Sequence, residues 1–171
     1  MELWDIYDRD RVKTERLQER GKEMNPDDYH LVVQVWIQNS EGKWLISKRS
    51  PEKWMAGKWE ATGGSVVAGE DTFTAALREV REELGIELDA STGVLISSTR
   101  YDYPRWKNPG FIDVYMFRGD YPIESVRLQE GETCAAKWAS TEEIHELKAR
   151  DELYPGSHEI PAIGGGFCRI S

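Results

Sequence analysis

Residues 64–86 read GSVVAGEDTFTAALREVREELGI. On a helical wheel of about 100° per residue, Phe73, Ala76, Leu77, Val80 and Leu84 fall on one arc, which predicts a helix from about Asp71 to Leu84 with that arc as its core face. Gly85 stands where a left-handed C-terminal cap is needed. Glu79, Glu82 and Glu83, spaced i, i+3 and i+4, occupy a neighbouring arc, with Arg78 at its edge. Their placement is costly. Like charges at this spacing lose roughly 0.2–0.5 kcal/mol per pair, and carboxylates in a last turn oppose the helix dipole by roughly 0.3–1 kcal/mol each. A divalent cation would turn that repulsion into a site, and carboxylates without His or Cys suit a hard ion such as Mg²⁺ or Mn²⁺.

The flanking sequence gives the helix its context. HLVVQVWIQN (30–39) is rich in β-branched and aromatic residues and predicts a strand. SEGK (40–43) is a turn, and WLISKR (44–49) predicts the second arm of a hairpin. A short strand is expected near 58–62, followed by Gly63-Gly64, where backbone can approach a ligand closely. GVLISSTRYDY (93–103), FIDVYMFRGDY (111–121) and CAAKWA (134–139) predict further strands, and LWDIY (3–7) has strand character. Ser140 and Glu143 form a capping-box pattern opening a second helix. Residues 8–29 and the tail 151–171 carry no assignable pattern. Strands in hairpins mixed with two helices predict an α/β (α+β) domain, a mixed sheet covered by helices.

The 171-residue chain is long enough for one domain with a substantial core. A net charge of −9 argues against a nucleic-acid polymer as partner, since that requires a basic face. No apolar run approaches the ~20 residues of a membrane span, and the charged N-terminus lacks a signal-peptide core, so a cytoplasmic protein is expected. Cys134 and Cys168 are expected to be reduced thiols. Lys48, Arg49, Lys53 and Lys58 form a basic island in an acidic chain, open to phosphate contact or to ordinary surface charge. Of the seven tryptophans, Trp36, Trp59 and Trp138 are expected in the core; Trp54 and Trp106, in loops with basic neighbours, are candidates for substrate contact.

Taken together, Gly64, Glu70, Arg78-Glu79, Val80, Glu82-Glu83, Gly85 and Ile86 match the pattern G-x5-E-x7-R-E-U-x-E-E-x-G-U, where U is a bulky aliphatic residue. The chain thus resembles a Nudix hydrolase. The resemblance implies a mixed sheet sandwiched between α-helices, a single domain spanning 1–171 with 1–29 as an extension packed on it, and Mg²⁺- or Mn²⁺-dependent cleavage of a diphosphate linkage in a nucleotide-like small molecule. It implies that Glu79, Glu82 and Glu83 hold the metal, with the Gly63 carbonyl completing its shell, and that Arg78, Glu70 and Gly64 support them. Glu79 or a glutamate outside the box would take the proton from water. Of Glu130 and Glu132, on a loop before a late strand, Glu132 is the choice. Arg49 and Lys58 are the candidate phosphate contacts. A homodimer is a family expectation.

The N-terminal half also resembles the isopentenyl-diphosphate isomerase branch of the superfamily. That branch needs a catalytic cysteine and a histidine-containing metal site near KWEATGGSV (58–66), which holds neither Cys nor His. His30 matches one isomerase histidine by position, and His145 and His158 are assigned no metal. Hydrolysis is therefore preferred over isomerisation and over a nucleotide-sensing module without turnover.

Overall fold

The computed structural model describes residues 1–103, 107–157, 159–162 and 166–169. The centre of the sheet is β3 (His30–Gln38), whose nine residues pair in parallel with β8 (Gly110–Arg118), from His30 opposite Gly110 to Gln38 opposite Arg118. On the other side of β3 lie two strands in succession. β4 (Trp44–Arg49) meets β3 only at Gln38–Trp44, while β6 (Thr62–Ser65) pairs antiparallel with Val32–Val35. The expected hairpin is therefore splayed. β4 turns away to pair with β9 (Thr133–Ala139) and β5 (Trp59–Glu60), which leaves the start of β3 free for the glycine strand. β7 (Val94–Tyr101) pairs antiparallel with β8 at the far edge.

Alternation along β3 divides its side chains between two layers. Leu31, Val33, Val35 and Ile37 face a core that includes Ala76, Val80 and Leu84 of α1 (Thr72–Leu84). Trp36 faces a second core with Ile144 and Leu147 of α2 (Thr141–Ala149). The mixed sheet is thus sandwiched between the two helices, as the sequence predicts. Helix α1 is capped by the Asp71 side chain, which accepts from the Thr74 amide, and ends on Gly85 at φ 66°. α2 opens with the full Ser140–Glu143 capping box. Neither helix is long and apolar enough to cross a membrane.

Three local expectations are corrected. The unassigned stretch 8–29 contains β2 (Lys13–Glu19), which forms an antiparallel hairpin with β1 (Leu3–Tyr7). The tail expected to be irregular holds a 3-10 turn at Pro155–Ser157 and a hairpin of β10 (Glu159–Ala162) and β11 (Gly166–Arg169). On α1 the core arc is shifted: Thr72, Ala75 and Glu83 are buried, and Phe73 and Leu77 are only partly so. Of the tryptophans expected inside, Trp36 is fully buried, while Trp59 and Trp138 pack partly buried against the core. Trp106, His158 and the Cys168 side chain lie outside the described part, and Cys134 is an exposed free thiol.

The N-terminal hairpin is held to the domain electrostatically. Arg11, from the turn between β1 and β2, donates both terminal nitrogens at 2.7 Å to the Asp113 carboxylate of β8. Asp113 also accepts from Ser98 and Thr72, and these donors keep its carboxyl below the usual range despite burial, the largest influence, which raises it.

Candidate active site

The C-terminal half of α1, the glycine strand β6 and the loop between β6 and α1 build the site's floor. Arg78 is its hub. Its Nε and Nη2 bind both Glu70 oxygens at 2.9 and 3.0 Å, its Nη1 reaches Glu79 at 2.8 Å and Glu82 at 3.1 Å, and Nη2 donates to the Ser65 carbonyl. One guanidinium thus ties the loop, the strand and two helical turns together, a task its rigid planar fork suits. A methyl group on Gly63 would strike the Val33 carbonyl, so that position requires glycine, and one on Gly64 would overlap the Glu79 carboxylate and force it to move.

The three glutamates occupy different environments. Glu82 is exposed. The Glu79 carboxyl is pushed up to about 7, chiefly by burial, against the opposing charge of Arg78. Glu83 is 4% exposed, its Oε2 is buried without a partner, and burial pushes its carboxyl up to about 8. Its nearest charges are Lys53, which favours ionisation, and Glu79, Glu60 and Glu132, which oppose it. No three His, Cys, Asp or Glu side chains among the described residues converge in a metal-binding cluster. Arg78 lies between Glu79 and Glu82 and draws both to itself. The donors nonetheless fit a hard divalent cation: all are carboxylate oxygens, two are desolvated, and one oxygen has no hydrogen-bond partner.

The C-terminal end of α1 is clasped by a loop. The Glu83 carbonyl accepts from the Gln129 amide and the Thr133 hydroxyl, and the Leu84 carbonyl accepts from the Arg127 amide. The same loop carries Glu132, whose carboxylate receives the Lys53 ammonium at 2.5 Å. Glu130 is exposed on it. Of the two candidate phosphate contacts, Arg49 is paired with buried Glu60 at 2.8 Å and lies over the Tyr154 ring at 4.6 Å. Lys58 donates to the backbone and side chain of Asp151. Both are therefore engaged within the protein, while Lys53 is the basic-island member that borders the glutamates.

Sequence reading passed over Glu60 and Tyr154. A carboxylate in the short strand that enters the glycine pair was a usable signal for Glu60. Tyr154 had none, since it arrives from a tail whose docking on β5 is purely tertiary: the Trp59 amide bonds the Glu152 carbonyl and the Tyr154 amide bonds the Trp59 carbonyl. Ser157 completes the attachment, its buried hydroxyl accepting from the Ala61 amide.

Comparison with known proteins shows the family. The NUDIX domain family matches residues 28–159. An uncharacterized Nudix hydrolase of Listeria monocytogenes is 34% identical over 158 residues, 91% of this chain and 89% of that protein. The CTP pyrophosphohydrolase of Escherichia coli is 35% identical over 113 residues, 66% of this chain and 78% of that one. A crystal structure from Deinococcus radiodurans superimposes with a TM-score of 0.71 at 24% identity, over 89% of this chain and 91% of that one, a likeness of fold. With the NUDIX domain spanning most of its length and the box lying on the strand, loop and helix described, the chain belongs to the Nudix hydrolase family.

Proposed function

We propose that the protein hydrolyses the diphosphate linkage of a nucleoside diphosphate derivative, with Mg²⁺ or Mn²⁺ held by Glu79, Glu82, Glu83 and the Gly63 carbonyl. The observation that carries the reading is Glu83, a buried carboxylate with an unpartnered oxygen, set among acidic groups at the negative end of a helix. A bound divalent ion would neutralise the diphosphate and lower the pKa of a coordinated water. The remaining roles belong to the chain. Arg78 and Glu70 hold Glu79 and Glu82 in register, and Gly64 leaves room for the Glu79 carboxylate. Glu79, beside the coordinated water, takes its proton. Glu132 is the alternative acceptor, with Lys53 holding it at the rim. Water adds its oxygen to one phosphorus and gives its proton to the glutamate, the P–O bond from that phosphorus to the bridging oxygen breaks, and the bridging oxygen departs with the other phosphoryl group, so each product carries its own share of the former diphosphate.

The test is a chromatographic screen for substrate loss and phosphorylated products with wild type and Glu83→Gln over nucleoside diphosphates, nucleotide sugars and dinucleotide polyphosphates with Mg²⁺, Mn²⁺ or EDTA. Metal-dependent turnover that Glu83→Gln loses supports the reading. Turnover equal in EDTA, or retained by the variant, overturns it.

A further inference from the structure

We propose that Trp54 and Tyr154 form a stacking subsite for the aromatic base of a nucleotide, placed beside the glutamates; the inference rests on the diphosphate reading above and names where its non-phosphate part binds. Trp54 is 66% exposed, so its indole face is open to a ligand. It is nevertheless held in place. The Arg49 Nε donates to its carbonyl at 2.9 Å, and its ring meets Tyr154 edge-on, with centroids 6.3 Å apart and planes at 87°. The backbone beside it is strained, since Met55 sits at φ 56° without being glycine. Such strain in a loop that buries nothing of its own requires support from elsewhere, and Arg49 supplies it.

Tyr154 is backed in turn. The Arg49 guanidinium lies over its ring, and Glu60 holds Arg49. Arg49 thus serves the aromatic pair rather than a phosphate. Two connections join the Trp54 loop to the loop that clasps the end of α1. Lys53 precedes Trp54 and bonds Glu132 on the loop that clasps the end of α1. The Ser50 hydroxyl and amide bind the Gly131 and Glu132 carbonyls, locking the Trp54 loop to the same clasp. A ligand with diphosphate at the glutamates and a flat ring at Trp54 would cross Lys53 between them. An indole face presents the same π-surface to every base, so the subsite would select a ring without selecting one base strongly.

The test separates this subsite from the hydrolysis reading. Affinities for ADP and for isopentenyl diphosphate, which has no aromatic ring, are measured by calorimetry with Ca²⁺ for wild type, Trp54→Leu, Trp54→Phe and Tyr154→Leu. Stacking loss should weaken ADP binding about 5- to 150-fold in Trp54→Leu, with isopentenyl diphosphate changed less than about twofold and ADP affinity largely restored in Trp54→Phe. Equal loss for both ligands, no loss for ADP, or no ADP binding by wild type overturns the subsite. Turnover with Mg²⁺ is scored separately. A wild type that hydrolyses no compound of the panel above yet shows the selective ADP loss keeps the subsite and sinks the hydrolysis reading.

Discussion

Replacing Glu83 by Gln in metal-free protein should stabilise it, and by an amount that grows with pH. The Glu83 carboxyl is pushed from 4.5 up to about 8, first by burial and then by the charges of Glu79, Glu60 and Glu132, with Lys53 opposing. Between those two values the unfolded chain has already released this proton and the folded protein has not, so stability falls as pH rises. Integrating the difference in bound protons gives a penalty of about 1 kcal/mol at pH 5 and about 4 kcal/mol at pH 8. Glutamine has the shape of the protonated carboxyl and titrates nowhere in this range, so the variant escapes the penalty. For a chain of this size the extra 3 kcal/mol or so corresponds to roughly 6–12 °C in Tm. Thermal unfolding of both proteins in EDTA at pH 5, 6, 7 and 8 measures it. A Tm difference that stays constant across the series would refute the reasoning, because it would mean Glu83 is not desolvated in the folded protein. Adding Mg²⁺ at pH 8 should raise the wild-type Tm and leave the variant nearly unchanged.

His30 should govern the opposite end of the pH range. It is buried and stacked on Trp4, and burial, followed by the charge of Arg20, pushes its imidazole down to about 4. The unfolded chain gains this proton first as pH falls, so stability is lost below about pH 6.5, by about 3 kcal/mol at pH 4; urea unfolding of His30→Phe should show a shallower acid limb, and parallel limbs would contradict this. Gly64→Ala should displace the Glu79 carboxylate and cut kcat/KM by at least about tenfold, a distortion at the reacting centre that outruns any change in Tm; unchanged kinetics would show the contact to be unimportant. Arg11→Ala leaves the Asp113 carboxylate buried without its cation, and should cost about 3–5 kcal/mol in urea unfolding. A loss below about 1 kcal/mol would mean Ser98 and Thr72 suffice to hold that charge.

Much of the site was legible because it is local. The box lies within 23 consecutive residues, and its spacing alone puts Glu79, Glu82 and Glu83 on one arc with Arg78 at its edge. The rest depends on contacts between distant segments. That Glu83 is buried rather than exposed follows from the 129–133 loop closing over the end of α1, which no periodicity encodes. The engagement of Arg49 and Lys58 depends on Glu60, Tyr154 and Asp151, and the last two belong to a tail with no pattern of its own. Residues 8–29 illustrate the same limit. β2 is a strand with mostly exposed side chains, so no hydrophobic alternation marks it, and its partner β1 supplies the pairing that defines it.

The parallel register of β3 and β8 has a consequence for how the chain reaches this structure. His30 pairs with Gly110 and Gln38 with Arg118, so every rung of the central ladder closes a loop of eighty residues. The glycine strand meets β3 across about thirty, and α1 packs on that pair directly afterwards. Loop-closure entropy favours the shorter span by about 1 kcal/mol per closure, and long-range parallel pairing is slow to form. During refolding the strand–loop–helix unit should therefore acquire amide protection before β8 docks, so that the part of the molecule carrying the glutamates is assembled first and the sheet is completed around it.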